Sequence, residues 1–219
     1  EPLDSKDRQR NRKAAANNKS LMSVRLQDDV RRVGTVRSRQ ARNSLKRELI
    51  PHYIDYLTGM MMQERRVKST DDRYRLGQSN IVLSTVCIWC FDVGEYKRGL
   101  PLFEFIVEMG IRSPDNFKSS MIEIITRSLA ERIIKHNDGL SSEFCGVVHA
   151  VLELTEGLDM ADEVRANLYR AYALINQVKE PETALNYYRK ALVMNSGLGV
   201  KRVIKRLEKA IGDCDEKTK

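Results

Sequence analysis

The sequence predicts an all-α fold, and three observations carry that prediction. Apolar residues recur at the 3.6-residue period from Leu21 to Ile211. No stretch alternates apolar and polar residues as a half-buried strand would. Gly, Pro and Asn-Asp-Gly punctuation falls between the periodic segments, so the connections are short, as in packed helical hairpins.

Residues 1–19 have no apolar face and read as a basic flexible arm. From Leu21 to Leu49 a wheel at about 100° per residue gathers Met22, Leu26, Val30, Val33, Ala41 and Leu45 in one sector, with Arg32, Arg39, Arg42 and Lys46 opposite. Gly34-Thr35 interrupts this segment, leaving two shorter helices in a helix-turn-helix-like arrangement as an open alternative. Pro51 restarts the helix, because its ring crowds the preceding turn. His52–Arg66 follows, and Ser69-Thr70-Asp71 is expected to cap a long helix reaching Val93, which Gly94 ends. Further helices are expected over Glu95–Met109, Met121–Lys135, 141–156, 160–177, 181–195 and 199–211. Leu168, Ala171, Tyr172, Ile175, Ala184, Tyr188 and Ala191 fall at tetratricopeptide-like spacing, with a fainter copy at Leu83, Val86, Cys90, Gly99, Phe103 and Ile106. Two isolated copies do not make a solenoid, so they imply TPR-like hairpin packing. The expected organisation is the arm over 1–19, a basic amphipathic DNA-binding and oligomerisation segment over 20–50, a helical-hairpin body over 51–212, and a polar tail over 213–219.

The net charge of +8 is confined to one end. Residues 1–50 hold 14 Lys+Arg against 6 Asp+Glu, and the remainder is balanced. A basic segment on a neutral body points to a polyanion, above all nucleic acid. The candidate phosphate-binding residues are Arg8, Arg10, Arg12, Lys13, Arg31, Arg32, Arg37, Arg39, Arg42, Lys46 and Arg47. The competing interpretation is a solvated solubility arm. Leu26, Val30, Val33, Ala41 and Leu45 make a seam too apolar to leave exposed, expected to pack on the body or on a neighbouring subunit.

Hydrophobic residues make up 42% of the chain, enough for an extended core, and no apolar run approaches the ~20 residues of a membrane-spanning helix. The opening EPLDSKDRQR lacks both an initiator Met and a signal-peptide core, so the expectation is a trimmed chain without an export signal. Cys87, Cys90, Cys145 and Cys214 are therefore expected as reduced thiols. Cys87-Ile-Trp-Cys90 with Cys145 and His149 has plausible zinc-ligand types. Both pairs, however, sit in apolar helical stretches, where Cys acts as a small core residue, and that reading is preferred.

Four segments, KRELIPHYIDYLTGMM (46–61), SNIVLSTVCIWCFDVGEYKRGLPLFEFIVEMGI (79–111), ELTEGLDMADEVRANLYR (153–170) and ETALNYYRKALVMNSGLGVKRVIKRLEK (182–209), resemble in order and spacing the small terminase subunits of peduovirus-type tailed phages. This GpM-type family is also described as terminase endonuclease subunits. The resemblance implies work in viral genome packaging: binding packaging-site double-stranded DNA, assembling as a homo-oligomeric ring, and recruiting a large ATPase subunit in the cytoplasm of the infected bacterial host. No membrane or cofactor is implied. The 219 residues contain no G-x-x-x-x-G-K-[ST] loop, consistent with a subunit other than the motor.

The endonuclease name calls for carboxylates converging on a divalent cation, with Mg²⁺ as cofactor only in that case. The acidic candidates are Asp159, Asp162 and Glu163. Their structural interpretation is that Asp159 caps a helix and Asp162 offsets its dipole at the third position. Asp28-Asp29 and Asp71-Asp72 also read as helix starts, and His52, His136 and His149 are scattered. A non-catalytic DNA-recognition subunit is therefore favoured, with the endonuclease itself as the alternative. Two other classes compete: a dimeric DNA-binding regulator and a helical-repeat adaptor.

Overall fold

The computed structural model describes the backbone of residues 5–70, 80–114, 119–135 and 142–217, with side chains over 17–67, 80–114, 119–135 and 144–212. Among these residues it is all-α, with ten helices and no strand: α1 Ser5–Thr35, α2 Arg39–Leu49, α3 Pro51–Thr70, α4 Ile81–Val93, α5 Tyr96–Glu108, α6 Met121–Lys135, α7 Ser142–Leu154, α8 Asp162–Asn176, α9 Pro181–Met194 and α10 Lys201–Lys217. No helix is long and apolar enough to cross a membrane, among the described residues.

The chain divides into two compact units after Leu102, inside α5. This differs from the expected split into a 20–50 segment and a 51–212 body, because α1 and α2 pack with α3 and α4 in the first unit. Leu26 and Val33 of α1 are buried there with Leu49, Ile50, Tyr53 and Leu57. The helical backbone starts at Ser5 rather than near Leu21. Arg, Lys and Ala make up nine of residues 5–20, and such residues favour helix without an apolar face. The break falls at 36–38, just past Gly34-Thr35, and Ser38 Oγ accepts from the Ala41 amide at 3.4 Å to cap α2. Two helices therefore replace one continuous segment.

Pro51 occupies the first position of α3, where its missing N–H costs nothing. Ser69 and Thr70 lie in the last turn of α3 rather than capping α4. Asn80 caps α4 instead, its side chain accepting from the Leu83 amide at 3.1 Å. Asp71 lies outside the described residues, as do the Asn137-Asp138-Gly139 stop and Asp72. Gly94 closes α4 in the left-handed region at φ 83°, a conformation that costs an L side chain steric strain. Cys87, Cys90, Phe91 and Trp89 are buried on α4. A Cβ on Gly99 would stand 3.0 Å from both Cys90 Cβ and the Phe91 ring, so any side chain here would need those neighbours to shift.

In the second unit α8 packs on α6, α7 and α9, and α9 on α10. Small residues allow the α8–α9 approach: Ala173, Ala184 and Ala191 are fully buried, and Tyr188 fills the groove while its hydroxyl donates to Gln177 Oε1 at 3.2 Å. Val200, Ile204 and Leu207 extend this core onto α10.

Candidate nucleic-acid interface

One buried carboxylate ties α1 to α3 ahead of the α1–α2 turn. Asp29 is only 5% exposed and lies in mid-helix, so the reading of Asp28-Asp29 as a helix start is corrected. Tyr53 of α3 donates its hydroxyl to Asp29 Oδ2 at 2.6 Å, and Arg32 Nη1 donates to Oδ1 at 3.2 Å. Arg25 Nε stands 4.0 Å away and its guanidinium lies over the Tyr53 ring at 5.7 Å. Burial and the adjacent carboxylate push the Tyr53 hydroxyl well above its ordinary pKa, so it remains a neutral donor. From the sequence alone Arg25 has no assigned role and Asp29 only that of a helix start, although their i, i+4 spacing and the i, i+3 spacing to Arg32 are the ordinary signature of helical ion pairs.

Around this hub the sequence candidates separate into two groups. Arg31, Arg32, Arg37, Arg39 and Arg42 have exposed side chains on either side of the turn. Arg31 is paired with the exposed Asp28 at 3.2 Å, a contact worth little in water. Lys46 and Arg47 reach across to α4 instead, Arg47 while remaining exposed. Lys46 Nζ is 2.7 Å from Asp92 Oδ2 with its side chain 15% exposed, and Arg47 Nη2 donates to the Val93 carbonyl at 2.8 Å. Both cations meet the negative end of α4, where charge and helix dipole attract. Lys46 thus leaves the open basic stripe assigned to it. The side chains of Arg8, Arg10, Arg12 and Lys13 lie outside the described ones.

The apolar seam does not survive as one stripe. Leu26 and Val33 face the core of the first unit, Val30 is 43% exposed, Ala41 is exposed and Leu45 half-buried on α2. The break at 36–38 turns α2 relative to the wheel that joined them.

The acidic candidates are exposed at the start of α8. Asp159 is not its cap: Ala161 holds that position with no side-chain cap of its own, and Asp162 and Glu163 are the first two helical residues. Asp159 lines a cleft of about 650 Å³ with Glu153, Glu156, Arg165 and Lys190, and Asp162 and Glu163 do not line it. Among the described residues no group of three or more His, Cys, Asp or Glu side chains is placed to hold a metal. Cys87 and Cys90 are buried thiols, Cys90 pushed up to about 12 by desolvation and Cys87 raised by the same cause. His52 and His149 are exposed, and His136 lies outside the described residues.

The cap of α8 comes from Glu123, a residue without a sequence signal for it. Ser120 and Glu123 form a capping box at α6: Ser120 Oγ accepts from the Glu123 amide at 3.2 Å, and Glu123 Oε2 accepts from the Ser120 amide at 3.1 Å. The other oxygen, Oε1, accepts from the Ala161 amide at 3.0 Å. The Ala161 amide holds the carboxyl below its usual range, against the opposing effect of burial and with help from Ser120. A lowered folded-state pKa stabilises above the ordinary carboxylate range, and that stabilisation disappears as pH falls through it. Glu123→Gln is expected to cost about 1 kcal/mol near neutral pH. The difference from the parent should close below about pH 4. Urea unfolding across pH, followed by circular dichroism, measures this; a gap independent of pH would remove the charge from the account.

Comparison with known proteins places this geometry. A phage small terminase subunit family matches residues 23–163, which includes residues 23–35 of α1, all of α2 and the first residues of α8. The chain is 25% identical over 191 residues, 87% of its length and 73% of the relative's, to the terminase, endonuclease subunit of Escherichia phage P2. No solved structure matches. A match across well over half of the chain establishes that it belongs to the phage small terminase subunit family.

Proposed function

We propose that this chain is the DNA-recognition subunit of phage genome packaging, holding double-stranded packaging-site DNA with the cations flanking the α1–α2 turn. Membership of the family carries the packaging role. The observation supporting DNA contact is that Arg31, Arg37, Arg39 and Arg42 are exposed around one turn inside the matched stretch. Guanidinium groups pair with phosphate oxygens, and such contacts supply most of the affinity for a duplex while releasing its counterions. Arg32, shared with Asp29, contributes less. Lys46 and Arg47 act indirectly by holding α2 against α4. Arg8, Arg10, Arg12 and Lys13 add non-specific attraction from the N-terminal turns.

The protein works as a homo-oligomeric ring that recruits the large ATPase subunit in the cytoplasm of the infected bacterium. Exposed Val30, together with Leu21 and Val24 on α1 and with Ala41 and Leu45 on α2, offers apolar surface for the repeated heterologous contact that closes a ring. Recognition itself needs no cofactor.

Changing Arg31, Arg37, Arg39 and Arg42 together to Gln is expected to lower the slope of log affinity against log salt by about 3–4, and deleting residues 1–19 by a smaller amount. Fluorescence anisotropy on packaging-site duplex reads both, with mass photometry reading the assembly. An unchanged slope in the four-residue variant would sink the interface.

The name of the phage P2 relative favours a second reading, in which this subunit cuts DNA itself with Mg²⁺. Asp159, Asp162 and Glu163 would be its acids. Their exposure, and the division between Asp159 in the cleft and the other two outside it, weigh against a shared metal. Site-specific cleavage by the purified subunit with Mg²⁺, lost in a folded Asp159→Ala variant, would establish that reading over recognition alone.

A further inference from the structure

The balanced charge of residues 51–219 hides a second basic surface. Lys201, Arg202, Lys205, Arg206 and Lys209 fall within nine residues of α10, and all five are exposed. At about 100° per residue they occupy one sector of about 140°. The opposite sector holds Val203, Ile204, Leu207 and Ile211, which pack on the α8–α9 core. The stripe's orientation is thus fixed by burial on the other side of the same helix.

Between Lys201 and Lys209 the stripe meets little opposing charge. Glu208 is the one acid between Lys201 and Lys209, and it is engaged by Arg189 at 2.7 Å. Among the described residues none of the five cations takes part in a salt bridge. Nothing in the stripe is aromatic, and it carries no Asn or Gln, the residue types that stack on bases or read their edges.

From Lys201 to Lys209 the helix advances about 12 Å. Over that length a duplex presents about seven phosphate charges. Five cations at this density match a nucleic-acid backbone more closely than an acidic protein surface, whose carboxylates are interspersed with neutral residues. The stripe also lies outside the matched family region, which ends at residue 163. We propose that the exposed face of α10 is a second, sequence-independent contact for the phosphate backbone of double-stranded DNA. The inference rests on the reading of the chain as a DNA-binding subunit, and adds a site in the second compact unit.

The two units each carry a basic helical face, so a single chain engages DNA twice. Both contacts are to phosphate, so the α10 face adds its affinity to that of the α1–α2 face.

The test uses the full chain and an unrelated 30-base-pair duplex, with anisotropy measured from about 50 to 200 mM salt, the range over which phosphate contacts dominate. Changing Lys201, Arg202, Lys205, Arg206 and Lys209 together to Gln is expected to weaken binding at least tenfold at the lowest salt. The salt slope should fall by about 3–5. Circular dichroism should be unchanged, since none of the five is buried. A milder Lys205→Gln, Lys209→Gln variant should lower the slope by about 2. Exchanging Lys and Arg at all five positions should keep it. If these variants retain the parent slope while the α1–α2 variant loses it, α10 is not a DNA contact and the recognition reading stands. If the parent itself fails to bind duplex, both fall. Unchanged DNA binding with lost binding of poly-glutamate would overturn the proposal in favour of an acidic protein partner.

Discussion

Replacing Arg165 by Met is expected to lower stability by about 2–4 kcal/mol, the larger of the two effects anticipated for single substitutions. Arg165 is 7% exposed. Its guanidinium donates to Thr155 Oγ1 at 3.0 Å, to the Thr155 carbonyl at 2.7 Å and to the Leu158 carbonyl at 3.0 Å. Among the described residues no carboxylate pairs with it. The charge is balanced instead by the carbonyl end of α7, whose last turn Thr155 closes by donating its hydroxyl to Val151 O at 2.8 Å. Methionine would fill much of the volume but remove all three guanidinium bonds, leaving the Thr155 carbonyl with only the Leu158 amide at 3.2 Å. Lysine would keep the charge but not the three-pronged geometry, so Arg165→Lys should recover only part of the loss. Urea unfolding followed at 222 nm checks this; a midpoint within error of the parent for Arg165→Met would mean that water replaces the guanidinium.

The second large effect belongs to Asp29. Asp29→Ala is expected to cost about 2–3 kcal/mol, because it removes a charge-assisted bond and strands the Tyr53 hydroxyl, which is itself wholly buried. Tyr53→Phe should cost a similar amount by leaving the carboxylate short of a donor. The double variant should cost much less than the sum, since it leaves no buried partner unsatisfied and Arg32 can turn to water. Trp89 is the chain's single tryptophan, buried on α4 with its ring edge-on to Tyr53 at 6.4 Å, so its fluorescence reports this region directly. Additive losses in the cycle would show that the two side chains do not act as a pair.

These two residues mark where sequence patterns stop being informative. Periodicity found α6 at both ends, Met121 and Lys135, and punctuation placed Pro51 at the start of α3 and Gly94 at the end of α4. Those signals are local: a ring that crowds one turn, a glycine that accepts a positive φ. Ser69-Thr70-Asp71 and Asp159 had cap-like residue types, yet Asn80 and Glu123 do the work. Which oxygen meets a helix end depends on packing that brings distant segments together. Lys46 looked like a phosphate ligand because its partner, Asp92, is 46 residues away. The wheel over 21–49 assumed one axis, and the break at 36–38 supplied two, dividing Leu26 and Val33 from Ala41 and Leu45. The α10 stripe is a local signal too, five cations within nine residues that the zero net charge of residues 51–219 conceals.

The clasp made by Glu123 also has a kinetic meaning. Its partner amide at Ala161 lies 38 residues along the chain, so making that bond first would mean closing a loop at an entropic cost of about 3 kcal/mol. One carboxylate cannot meet that cost, and the bond must form after α6 and α8 have already met. An interaction made late stabilises the native state more than the folding transition state, and so slows unfolding more than it speeds folding. In hydrogen exchange, the Ser120 and Ala161 amides would then be released by one opening event. Two helix starts far apart in the chain would share a single latch.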